Sequence, residues 1–167
     1  MDLTKNIQLL KPLAGLSEFT LREPVIDEVA QLALESVKFG GVRAFKNLLS
    51  KIGPLEIAAA GQLGARDFKA CQRFIDGLME VSSDEALEGD EAVRTLASPI
   101  AGVTELKLRE PTLDEISRLT TEGEKLGSIV AMRNLIATMN KLEPKAVGRV
   151  GLHDFKVCEK YLEGFFD

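Results

Sequence analysis

The sequence predicts a mainly α protein, a small α+β fold of two homologous repeats, each a short strand followed by about three helices, arranged as a pseudo-twofold covalent dimer. Three observations carry this reading. The chain repeats itself along most of its 167 residues, and apolar residues recur at helical spacing in both copies. The aromatic content is only 5%, eight Phe and one Tyr with no Trp, so a core must be built from Leu, Ile, Val and Ala, which suit packed helices. With 45% hydrophobic and 28% charged residues the composition is that of a globular chain, which excludes disorder.

Residues 12–79 match residues 99–166 without a gap at an offset of 87, with roughly 26 of about 68 positions identical. This divides the chain into a first repeat, 1–79, an acidic connector, 80–98, and a second repeat, 99–167. Each repeat opens on alternation: Phe19 and Leu21 between Glu18, Thr20 and Arg22, answered by Leu106 and Leu108 between Glu105, Lys107 and Arg109. Period two predicts a short half-buried strand, which must pair either with its twin in the other copy or with a strand of another chain. The stretch 3–11 reads equally as strand or helical turn.

A first helix follows from Ile26, Val29 and Leu32, matched by Leu113, Ile116 and Leu119. Pro24 and Pro111 suit its first position, where the missing N–H costs nothing. Thr112 and Glu115 have capping-box spacing, but Val25 replaces the threonine in the first copy, so the box is not a shared requirement. Gly40-Gly41 and Gly127-Ser128 break the pattern and predict a helix closed by a glycine in the left-handed conformation, followed by a tight hairpin. The second helix is the clearest: Val42, Phe45, Leu48, Leu49 and Ile52 answered by Ile129, Met132, Leu135, Ile136 and Met139. The third carries Phe68, Cys71, Ile75 and Leu78 against Phe155, Cys158, Leu162 and Phe165, with Asp67 and Asp154 ahead of it as caps.

Several chemistries lack their residues. A net charge of −5 gives no field for phosphates, so nucleic acid and anionic membranes are not expected partners. No apolar stretch approaches the ~18 residues of a membrane span. Two distant cysteines, and no apolar run behind a basic start, predict a cytosolic protein without disulfides. Cys71 and Cys158 take equivalent apolar positions, as small core residues would. His153 stands where the first copy has Arg66, so the repeat needs no imidazole, and a surface or capping place is expected for it. Gly61-Gln-Leu-Gly64 and Gly148-Arg-Val-Gly151 share the spacing of a KH-type GxxG but lack its basic setting, and read as loops. Asp27-Glu28 and Asp114-Glu115 lie near helix N-termini, where negative charge is favourable without catalysis, and read as a solvated face. No metal, cofactor or catalytic constellation is expected.

The block Phe19-Thr-Leu-Arg-Glu-Pro24 with Asp27-Glu28, and Leu106-Lys-Leu-Arg-Glu-Pro111 with Asp114-Glu115, resembles the opening of the Mu-like phage tail assembly chaperones, a family that includes tail protein E. Asp67-Phe68, Asp154-Phe155 and Gly164-Phe165-Phe166 fit its last helix and tail. Leu21, Arg22, Glu23, Pro24 and Leu108, Arg109, Glu110, Pro111 are then the structural junction between strand and helix. Family members as a rule carry one copy; this chain carries two.

The resemblance implies a non-catalytic chaperone in the host cytoplasm, absent from the mature tail, that binds the long helical tape measure protein and keeps it soluble. Other tail proteins are further partners, and either a homo-oligomer or a monomeric pseudodimer is implied. Apolar residues beyond the helical stripes, Phe39, Phe74, Met79, Tyr161 and Phe166, are the candidate anchors for such a partner. The competing reading is a structural adaptor that stays in the tail or a phage-like particle and makes helix–groove contacts there.

Overall fold

The computed structural model describes residues 2–166 and resolves the chain into two compact units, Met1–Pro24 with Gln31–Met79, and Val25–Ala30 with Glu80–Asp167. It is helix-rich, with two small antiparallel sheets. In the first unit β1 (Thr4–Leu13) and β2 (Leu16–Arg22) form a hairpin. It is followed by α1 (Ile26–Phe39), α2 (Gly41–Ile52), the one-turn α3 (Ile57–Ala60) and α4 (Ala65–Met79). The first turn of α1 is counted with the second unit.

The second unit continues through a 3-10 turn (Ser83–Glu85), β3 (Glu91–Ile100), β4 (Val103–Arg109), α5 (Leu113–Leu126), α6 (Ser128–Asn140), the one-turn α7 (Pro144–Val147) and α8 (Leu152–Glu163). Element order repeats, and so does register: Thr4 faces Arg22 as Glu91 faces Arg109, each pair displaced by 87.

The expected lone strand is therefore half of a hairpin. Its partner is the stretch 3–11 in the first copy and the end of the polar connector in the second, and not the twin strand. Stretch 80–98 accordingly carries β3 from Glu91 on. The two-residue turns place Ala14 and Gly15 at φ 50 and 79, and Ala101 and Gly102 at φ 46 and 78. Two successive positive φ values match the twist of a hairpin, and alanine gives little sign of them. Register shifts between Gln8 and Leu13, and between Thr95 and Ile100, accommodate Pro12 and Pro99, which cannot donate to the ladder.

Helix boundaries also differ from expectation. Pro24 and Pro111 are buried two residues ahead of their helices and not at the first helical position. Thr112 is the N-cap of α5 in a complete capping box with Glu115. The first copy keeps half of it, since Glu28 Oε2 accepts the Val25 amide at 3.0 Å. Gly40 and Gly127 each serve both flanking helices, with positive φ (87 and 93) but extended ψ (149 and 151), not the left-handed helical conformation. Across each hairpin the same pair is tied: Asn47 donates to Glu35 and Asn134 to Glu122, both at 2.8 Å.

The core of each unit lies between the hairpin, α2 or α6, and the last helix. Leu21, Leu49, Cys71 and Leu78 are buried in the first unit, and Leu106, Leu108, Ile136, Phe155, Cys158 and Leu162 in the second. Each large side chain contributes roughly 1.5–3 kcal/mol by leaving water. The α1 and α5 stripes are mostly half-buried, and Val42, expected in the core, is exposed.

Asp67 and Asp154 are buried inside the first turns of α4 and α8 and are not caps. Asp154 accepts from Arg94 Nε at 2.9 Å and from the Ala97 amide at 2.8 Å, binding helix to hairpin. Asp67 makes a longer contact of 3.4 Å to the Leu10 amide.

Candidate partner-binding surface

In the first unit the glycine junction and the turn after α3 leave a groove of about 720 Å3, lined by Phe39, Val42, Lys46, Gly61, Leu63 and Phe68 among others. Its floor is held by Phe45 packed edge-on against Phe68, centroids 5.1 Å apart. On its rim the Arg43 guanidinium lies over the Phe39 ring at 4.9 Å. Apolar walls with Arg43 and Lys46 beside them suit an amphipathic segment bearing acidic residues. A second groove of about 590 Å3 runs between the β1 end (Leu9, Leu10, Leu13) and Leu63 to Asp67. A third, about 450 Å3, lies between Thr4, Lys5 and the α4 face carrying Arg73, Phe74 and Leu78.

The candidate anchors do not converge. Phe39 (54% exposed) lines the first groove and half-buried Phe74 the third. Met79 is exposed at the end of α4, as is Phe166 beyond α8. Tyr161 is a correction: it is buried, its hydroxyl donates to the Gly89 carbonyl at 2.9 Å and its ring stacks edge-on with Phe165, so it belongs to the interior of the second unit. Val42 and Leu63 in the groove, and exposed Leu10, Val37 and Leu113, carry no sequence signal that separates them from core positions. In a single sequence they look like members of ordinary helical or strand stripes.

The junction residues are tied to the backbone and helix ends around them. Leu21 and Leu108 are buried. Arg22 donates to the carbonyls of Glu23 and Lys51, locking strand end to helix end. Arg109 instead clamps Glu115 with two hydrogen bonds of 2.9 Å while donating to the Glu110 carbonyl. That guanidinium, with help from Thr112, holds the Glu115 carboxyl down at about 2. Glu115 and Asp27 are thus not merely a solvated face, since Asp27 is paired with Arg133 at 2.6 Å within the second unit.

His153 is buried, not on the surface. Its Nε2 lies 2.8 Å from Glu85 Oε1, and Ser82 and His153 hold the Glu85 carboxyl at about 2. Burial pushes the thiols of Cys71 and Cys158 up to about 11 and about 12, which makes them inert core residues. Among the described residues no group of three or more His, Cys, Asp or Glu is arranged to hold a metal, and no helix is long and apolar enough to cross a membrane.

The chain matches no curated protein and no solved structure. A family model does match, over residues 95–167, which takes in most of β3 and everything after it. That segment is similar to the phage tail assembly chaperone proteins, E, or 41 or 14, a likeness that supports a role in phage tail assembly.

Proposed function

We propose that the protein is a non-catalytic tail assembly chaperone with two chaperone-like copies in one chain, 1–79 and 99–167 around the connector 80–98. It binds the tape measure protein and keeps it soluble in the host cytoplasm until the tail tube forms around it, and it is absent from the mature tail. The family match over residues 95–167 carries this reading, and the copy at an offset of 87 extends it to the first half.

The surface supports it. A long amphipathic helix exposes an apolar stripe that aggregates unless covered, and covering it needs apolar grooves with a polar rim. The groove at Phe74, with exposed Met79 and Phe166, is a surface of this kind, and it is distinct from the groove at Lys46 and Leu63.

The test is co-expression with the tape measure protein of the same phage or prophage. The expected result is transfer of that protein from the insoluble to the soluble fraction, reduced by Phe74→Asp. An unchanged insoluble fraction overturns the proposal, and so does recovery of the chain in purified tails, which is the outcome expected of a retained adaptor.

A further inference from the structure

We propose that the chain assembles head to tail with copies of itself, the first turn of α5 in one molecule docking into the groove between Lys46 and Leu63 of the next. The inference goes beyond the chaperone reading and needs no tape measure protein.

The second unit shows what this contact looks like when made. Its segment Val25–Ala30 lies against the α7–α8 turn. The Ile26 amide donates to the Val150 carbonyl at 3.0 Å and the Asp27 amide to the Gly148 carbonyl at 2.9 Å, Val25 bridges Gly151, and the Asp27 carboxylate pairs with Arg133. Ile26 is fully buried and Val150 nearly so. Gly148 has φ −59, which any residue adopts, yet a Cβ there would collide with the Asp27 carboxylate. Close approach, not conformation, calls for glycine.

Displaced by 87 residues, both halves of this contact recur and are open. The equivalent of the docked segment is 112–117, where Leu113 is 84% exposed. Among the described residues the amides of Leu113 and Asp114 find no acceptor, and the Asp114 carboxylate has no ion pair. The equivalent socket is Gly61, Leu63, Gly64 and Lys46, lining the groove in the first unit. Nothing among the described residues donates to the Gly61 or Leu63 carbonyls, and Lys46 has no acidic partner.

The free groups match in kind and order. Two amides meet two carbonyls, Asp114 meets Lys46 where Asp27 meets Arg133, and an exposed leucine meets a groove whose Leu63 is only half-buried. One molecule thus presents an unoccupied knob on one unit and an unoccupied socket on the other. Such a heterologous contact propagates into open chains or closes as a ring.

The test is sedimentation of the purified full chain alone, from micromolar to millimolar concentration. The expected result is a concentration-dependent ladder of dimers and larger species, lost in Leu113→Asp and in Lys46→Glu, both surface changes that leave the circular dichroism unaltered. Mixing these two variants gives dimers and nothing larger, because one keeps its socket and the other its knob. Lys46→Asp with Asp114→Lys in one chain restores the ladder. A monomer at every concentration, a ladder indifferent to either variant, or a mixture that stays monomeric overturns the proposal. None of these outcomes bears on tape measure binding.

Discussion

Asp154 and Asp67 occupy the same place in the repeat yet should differ sharply in what they contribute. Asp154→Ala removes a carboxylate that is 5% exposed and takes with it the hydrogen bonds from Arg94 and from the Ala97 amide. Breaking a buried pair costs about 3–5 kcal/mol, and because Arg94 is 19% exposed and can turn toward water we place the loss near the lower end, about 3 kcal/mol. Asp67→Ala removes one contact of 3.4 Å, at the margin of a hydrogen bond, and should cost about 1 kcal/mol or less. Asp154→Asn keeps an acceptor for Ala97 but loses the charge, and falls between.

The sole tyrosine, Tyr161, lies in α8 and the chain has no Trp, so tyrosine emission during urea unfolding reads Asp154→Ala in the second unit directly, and far-UV circular dichroism over the same titration reads Asp67→Ala in the first. With a urea slope of about 1–3 kcal/mol per molar, a loss of about 3 kcal/mol in Asp154→Ala should lower the midpoint by about 1–3 M. Equal losses from the two alanine variants, or an Asp154→Ala cost under about 1 kcal/mol, would refute the assignment of Asp154 as the tie between helix and hairpin.

Thr112→Ala removes the side-chain half of the α5 capping box, leaving the residue-112 amide on Glu115, and should cost about 1 kcal/mol in the same assay, whereas Val25→Ala removes no side-chain cap because only Glu28 caps there. Acid should destabilise the second unit in a defined window. Glu115 and Glu85 fall from 4.5 to about 2 on folding, so their contributions are complete above pH 4.5 and are lost as pH falls toward about 2. Allowing for solvent screening this amounts to about 1 kcal/mol each, and Glu115→Gln should flatten the acid limb of a stability–pH curve. Cys71 and Cys158 should resist iodoacetamide at pH 8 in the folded chain and both react in denaturant, as intact mass will show; rapid native labelling of Cys158 would contradict its burial.

The helices were legible because the duplication supplies its own control: Leu48, Leu49 and Ile52 repeat as Leu135, Ile136 and Met139, and only a shared buried face explains apolar identity at that phase. The hairpins were half legible. β2 and β4 alternate, but Ile7 in β1 is answered by Arg94 in β3, so the partner strands share register without sharing sequence. The places of Asp67 and Asp154 are not legible in the sequence, because a carboxylate in the first turn of a helix has the spacing of a cap whether or not a strand amide lies within its reach.

What the sequence determines by itself is therefore the order and phase of the three long helices in each copy, since these follow from local periodicity and glycine placement, whereas the one-turn α3 and α7 are too short to show a period and make four helices of the expected three. What only the tertiary structure decides is which of two equivalent residues is inside. Ile26 and Leu113 are chemically alike and hold the same place in the repeat, yet one is fully buried and the other 84% exposed. Burial belongs to the surface a residue meets, and that surface is contributed by elements distant in the chain.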